Sequence, residues 1–222
     1  MTARSTLSRS EVCAVYDRIG RGQDTQVFYE GPAVDALIAH ADFEAASTLF
    51  EIGCGTGRVA ERLLRGPAPP DAQYVGADLS PTMVQIARDR LAAFGDRAEI
   101  VQTDGGFSFD PPDASQDRVL ATYVLDLLSP PDIHALLAEA HRLLVPTGRL
   151  CLAGLTWGEK ALGRLVADAW AAVHALRPEW VGGCRPLRVE PLLDADRWTV
   201  RHREIVRAWG VPSEVLIASP RQ

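Results

Sequence analysis

The chain has 222 residues, enough for one sizeable α/β domain and too few for two comfortable ones. With 47% hydrophobic residues and a mean hydropathy of −0.02 it should bury an ordinary core, and no apolar run is long enough to span a bilayer. A net charge of −6 and a pI near 5.4 argue against a nucleic-acid groove, which needs clustered positive charge, so no nucleic-acid partner is expected.

Residues 1–45 read as an N-terminal helical segment. Glu11–Asp17 has short helical character, Asp17–Thr25 is polar and glycine-punctuated, and Gln26-Val-Phe-Tyr29 is aromatic. Pro32–His40 looks like an amphipathic helix, with Ala33, Leu37 and Ala41 on one side. Strands are expected near 48–52, 74–78, 98–102, 118–124 and 149–155, with helices between them, including Arg58–Arg65 and Asp132–Leu144. Pro67-Ala-Pro-Pro70 and Asp110-Pro-Pro-Asp113 mark loops, because proline interrupts helices and sheet interiors. A helix at 162–176, a loop at 178–186 and two last strands near 198–207 and 213–218 complete the pattern.

The chemistry concentrates at the first strand. Thr48-Leu-Phe-Glu-Ile52 runs into Gly53, Gly55 and Gly57, and Val59, Ala60, Leu63 and Leu64 follow at helical spacing. That is strand, tight loop and helix, the start of a nucleotide-binding βαβ unit, with bare backbone against which a ligand can rest. Asp78 ends the next strand, where a carboxylate can accept hydrogen bonds from both hydroxyls of a ribose. A dinucleotide fingerprint wants a small residue where Arg58 stands, so a nicotinamide oxidoreductase is disfavoured.

Glu51-x-Gly53-x-Gly55-x-Gly57 instead resembles the first motif of the class I S-adenosylmethionine-dependent methyltransferases. The resemblance continues in order to about residue 155, through Asp78, the Ile100–Gly105 segment and a Leu143-Leu-Val-Pro-Thr-Gly-Arg-Leu turn. It implies a seven-stranded, mostly parallel, doubly wound sheet with an antiparallel last strand and helices on both faces. On that reading residues 1–45 are a lid segment and 46–155 the cofactor core. Residues 156–222 complete the sheet and the acceptor pocket.

The same resemblance suggests S-adenosylmethionine as cofactor. Asp78 would hold its ribose, Leu79 and Met83 would flank the adenine, and Asp104 would meet the adenine amino group, with Gly105 beside it. Glu51 would cap the loop amides or approach the ligand's ammonium, and Cys54 would offer its backbone amide. Thr122 and Tyr123 stand at a strand end, where open α/β sheets bind ligands. Tyr16, Phe28 and Tyr29 are candidates to close over the cofactor or to anchor the lid in the core.

Asp126 and Tyr123 qualify by position as a base, with His134 one turn further on; His141, His174 and His202 read as structural. No Asn-Pro-Pro-Tyr run follows the fourth strand, which weakens a nucleobase amino-methylating reading. No Cys-x-x-Cys or His-rich cluster suggests a metal, and none is expected. Cys13, Cys54, Cys151 and Cys184 read as reduced thiols; with no signal-peptide pattern in Met1–Ser10, a cytoplasmic location is expected.

Arg201, Arg203 and Arg207 share one face of a regular strand, either solvated or attractive to an anion. All five tryptophans lie in the last third, and Trp157 follows strand five at the expected binding edge. Lys160 is the only lysine, a composition bias. The core most resembles the ubiquinone/menaquinone methyltransferases and related natural-product enzymes, implying a small, lipophilic or aromatic acceptor methylated on oxygen, nitrogen, sulfur or carbon. A non-catalytic S-adenosylmethionine-binding sensor or partner subunit is the alternative.

Overall fold

Strand β1 (Thr48–Ile52) is an inner strand, third in a seven-stranded sheet in the computed structural model, which describes residues 6–159 and 161–221. The others are β2 (Gln73–Asp78), β3 (Ala98–Gln102), β4 (Gln116–Thr122), β5 (Leu144–Leu155), β6 (Trp198–Ala208) and β7 (Val211–Pro220), in the order β3-β2-β1-β4-β5-β7-β6. The pairs among β1 to β5 are parallel, and β7 runs antiparallel to both β5 and β6. The order reverses beside β1, and this switch point is where the glycine loop emerges.

Alternation along the strands builds two cores. Leu49, Leu120, Cys151, Val215 and Ile217 face α2 (Val27–His40), α3 (Arg58–Arg65) and α4 (Pro81–Leu91). Phe50, Val119, Ala121, Leu150, Leu152 and Leu216 face α5 (Pro130–Leu143). Covered on both faces, Leu49–Ile52 of β1, Val119–Ala121 of β4 and Leu150–Leu155 of β5 are buried throughout, with Glu51 the one charged residue among them. Two helix starts are written in the sequence: Ser80 and Ser129 accept hydrogen bonds from the backbone N–H of Met83 and Asp132, and Pro81 and Pro130 follow at the first helical position. Helix α1 (Arg9–Ile19) starts with a capping box between Ser8 and Glu11.

Several boundaries move, and the helix expected between β3 and β4 does not form: residues 103–115, with the Pro111-Pro112 pair, connect the two strands as a loop. Helix α2 begins at Val27, ahead of the expected Pro32, and carries that proline inside it. Strand β4 stops at Thr122 because Tyr123 takes a positive φ of 56°, a conformation that ends regular pairing. Strand β5 starts at Leu144, five residues early, and an irregularity in its pairing with β4 accommodates the Pro146–Gly148 turn. Between Val200 and His202 a bulge breaks the alternation that would align three arginines, and Arg203 is held by buried Glu214 at 2.6 Å and by Glu190 at 3.1 Å. Lys160 lies outside the described residues, and α6 (Ala161–Leu176) follows it.

Candidate active site

The glycine loop folds back over the ends of β1 and β2. Gly53 and Cys54 both donate their N–H to the Ala77 carbonyl, at 2.7 and 3.1 Å, and Gly55 donates to Asp78 Oδ2 at 2.8 Å. Gly53 has φ 72°, and an added Cβ would stand 2.4 Å from Val124, so glycine is required there on two counts. A Cβ on Gly55 would meet nothing within 4 Å, so the loop's outer surface faces open space. Asp78 also accepts from the Ser80 N–H at 2.9 Å; each carboxylate oxygen spends one lone pair on the loop and keeps another for a ligand.

A cavity of about 600 Å³ opens against this loop. Its wall includes Gly53, Cys54, Gly55, Asp78, Leu79, Gly105, Thr122 and Tyr123 from the sheet edge, and Leu7, Val12, Cys13 and Tyr16 from α1 and the residues before it. Nine of the expected site residues therefore converge on one space: Tyr16, Gly53, Cys54, Gly55, Asp78, Leu79, Gly105, Thr122 and Tyr123.

Six others lie off that wall. Gly57 packs on Ala87 and caps α3. Met83 is fully buried in the core. Glu51 sits beneath the loop and accepts from the Tyr74 hydroxyl at 2.6 Å. Asp104 is exposed and accepts from the Gly106 N–H at 2.8 Å. Tyr29 is buried, edge-on to Tyr123 and Trp170 with ring centroids 5.9 and 6.1 Å away, so of the three aromatic lid candidates only Tyr16 meets the cavity. Asp126 is sealed under the end of β5, its Oδ2 accepting from the Leu155 N–H at 3.2 Å and its Oδ1 without a partner. The tryptophans do not line the cavity either: Trp157 borders a separate, smaller hollow.

Glu30 and Arg58 were not expected here, and both line the cavity. Glu30 Oε2 accepts from Arg58 at 2.5 Å, while Oε1 is buried with no partner. Burial pushes the Glu30 carboxyl up to about 7, against the pull of Arg58. Glu30 comes from α2 and Arg58 from α3, and nothing in their sequence spacing marks them as a pair. Tyr123 hydrogen-bonds Ser213 through its hydroxyl at 2.8 Å, and burial drives that phenol far above its ordinary range, so it stays protonated. Over the mouth, Arg9 of α1 reaches Asp132 of α5 at 3.1 Å, and Asp17 accepts from the Ser80 hydroxyl at 2.5 Å.

Burial also pushes Glu51 and Asp126 up to about 7. With Glu30, three carboxyls in the folded protein keep protons that the unfolded chain releases in the ordinary carboxylate range. The stability these three groups contribute therefore falls as pH rises from that range through about 7, by up to about 1.4 kcal/mol per pH unit for each group, a fall that outweighs the opposite slope of His141 and His174, whose pKa burial lowers. Thermal melts without ligand should show a Tm that drops between pH 5.5 and pH 8, less steeply in Glu51→Gln. A Tm that climbs over the interval would contradict these assignments.

Residues 49–148 match the family model described as a methyltransferase domain. The chain is 33% identical over 190 residues to the nocamycin O-methyltransferase of Saccharothrix syringae, covering 82% of this chain and 64% of that protein. It is 30% identical over 145 residues to the demethylmenaquinone methyltransferase of Thermus thermophilus, covering 64% and 61%. The chain thus spans under two thirds of the length of these relatives. Among solved structures, the cyclase SpnF superposes with a TM-score of 0.73 at 18% identity over 98% of both chains. The mitomycin 7-O-methyltransferase MmcR gives 0.70 at 22% identity over 91% of this chain and 56% of that one. At such identities the structures speak for the fold alone. Ordered sheet, glycine loop, acidic β2 end and matched model agree: residues 49–148 form a methyltransferase domain, with the sheet of the class I S-adenosylmethionine-dependent fold.

Proposed function

We propose that this protein transfers a methyl group from S-adenosylmethionine to a small organic acceptor that arrives protonated, such as a phenol, enol or quinol. The observation that carries the reading is that one cavity is lined both by the Gly55–Asp78 clip and by a half-paired carboxyl, Glu30. When bound, the cofactor supplies a methyl carbon on a positively charged sulfur, already activated for in-line displacement. Asp78 would hold the ribose hydroxyls, Leu79 would lie against the adenine, and the Gly53–Gly55 backbone would carry the amino acid end.

The remaining work belongs to the chain's own groups. Glu30, poised near neutrality on the cavity wall, takes the acceptor's proton, and Arg58 steadies the carboxylate that has not yet done so. Tyr123 donates or accepts a hydrogen bond but is a poor base, because burial holds its proton in place. Asp126 does not border the cavity, so the base role first considered for it passes to Glu30. Leu7, Val12, Tyr16, Phe107 and Leu127 give the cavity apolar surface suited to a lipophilic or aromatic acceptor. The nocamycin and menaquinone relatives support an acceptor of that kind.

Alignment within such a pocket supplies about 7–11 kcal/mol in favourable cases. Isothermal titration with S-adenosylmethionine, followed by incubation with a panel of phenols and quinols, tests the reading. The expected result is saturable binding, then S-adenosylhomocysteine together with an acceptor heavier by one methylene. Absence of cofactor binding would sink it. Tight binding without product formation from any of the panel would favour a cofactor-binding protein that performs no methylation, a role open to this fold since one similar structure is that of a cyclase.

A further inference from the structure

Away from the cavity, three metal-ligating side chains meet where α2 ends against β6. His40 is the last residue of α2. His202 and Glu204 lie two apart on β6, paired in regular register with Ile217 and Val215, so both point to the face that α2 covers. The two imidazole rings stack with centroids 3.8 Å apart and planes 16° apart. Glu204 Oε1 is 3.0 Å from His202 Nε2 and 3.7 Å from His40 Nε2, and one donor atom from each of the three residues falls within 4.8 Å of the others. Zinc in a tetrahedral site, with bonds of about 2.0–2.1 Å, sets its donors about 3.3 Å apart. The observed separations bracket that value.

Two imidazoles rely on a single carboxylate, and neither ring has another hydrogen-bond partner among the described residues. We propose that His40, His202 and Glu204 bind one transition-metal ion of the zinc class, with water completing the coordination. Two nitrogens and one oxygen suit zinc, cobalt or nickel, whereas magnesium and calcium prefer oxygen ligands throughout. The carboxyl end of α2 adds a favourable partial negative charge. The nearby Arg149, which reaches the His40 carbonyl at 3.3 Å, is neutralised by Asp42 at 2.9 Å. Coordination turns the half-exposed His40 ring out of the stack until its lone pair converges with that of His202. The ion then staples β6, one of the two edge strands of the sheet, to the helix whose other end carries Glu30.

The test is titration of the full, tag-free chain with zinc chloride, alongside His40→Gln and His202→Ala. The expected result is uptake of a single ion, weakened by about tenfold or more in each variant. A zinc-dependent rise in Tm of about 5 °C or more at roughly 100 times Kd should accompany it and be lost in both variants. Unchanged S-adenosylmethionine binding by the variants would verify that they are folded, since neither residue borders the cavity. No saturable uptake overturns the proposal, and so does uptake that survives in both variants.

Discussion

Glu30→Gln should lower methyl transfer by about a hundredfold or more, the usual scale for losing a positioned general base. The substitution keeps an oxygen for Arg58 and nearly the same volume, so folding and cofactor affinity should be preserved. The pH profile is the sharper readout. With Glu30 ionising near 7, wild-type turnover should rise across neutrality and level off above it, while the variant should be slow and flat through the same window. Near-normal turnover in the variant would remove Glu30 as the base. A fall in S-adenosylmethionine affinity with turnover intact would do the same and would move Glu30 to the cofactor's ammonium.

The second large effect is expected at Asp78. Asp78→Ala deletes the oxygens that clip Gly55 and Ser80, together with those offered to a ribose, and should weaken S-adenosylmethionine binding by about 3 kcal/mol, roughly a hundredfold. Asp78→Asn separates the two contributions. Its single carbonyl oxygen can serve either the loop amide or a ribose hydroxyl, so an intermediate loss is expected. Affinity indistinguishable from wild type in Asp78→Ala, measured by titration calorimetry, would reject the ribose role. The loop itself gives a second check, because a free Gly55 N–H should exchange its proton faster in the alanine variant.

Much of the cofactor half was legible because its signals are local. Gly53 must adopt a positive φ and admit Val124, a demand of the loop that only glycine meets cheaply, so it stands out in the sequence. Asp78 follows at the end of the next strand, a distance fixed by one helix and its turns. The Ser80-Pro81 and Ser129-Pro130 pairs name their helices through capping chemistry confined to a few residues. Boundaries were less legible where tertiary packing overrode the local signal. Pro32 suggested a helix start, yet α2 begins at Val27, with Tyr29 already buried against Tyr123 and Trp170.

By itself, the sequence determined where the strands and most of the helices between them lie, and the bare loop with its acidic neighbour. Each of these depends on periodicity or on residues close along the chain, whereas the antiparallel close of the sheet was implied only by the family resemblance. Only the tertiary structure decided that Glu30 meets Arg58, that Asp126 and Met83 fall outside the cavity, and that His40 reaches His202 and Glu204. Those outcomes depend on how helices seat on the sheet, since a small rotation or shift there carries a side chain from cavity wall to core. Burial, and with it the protonation of a carboxyl near neutral pH, follows from that seating and leaves no mark on residue spacing.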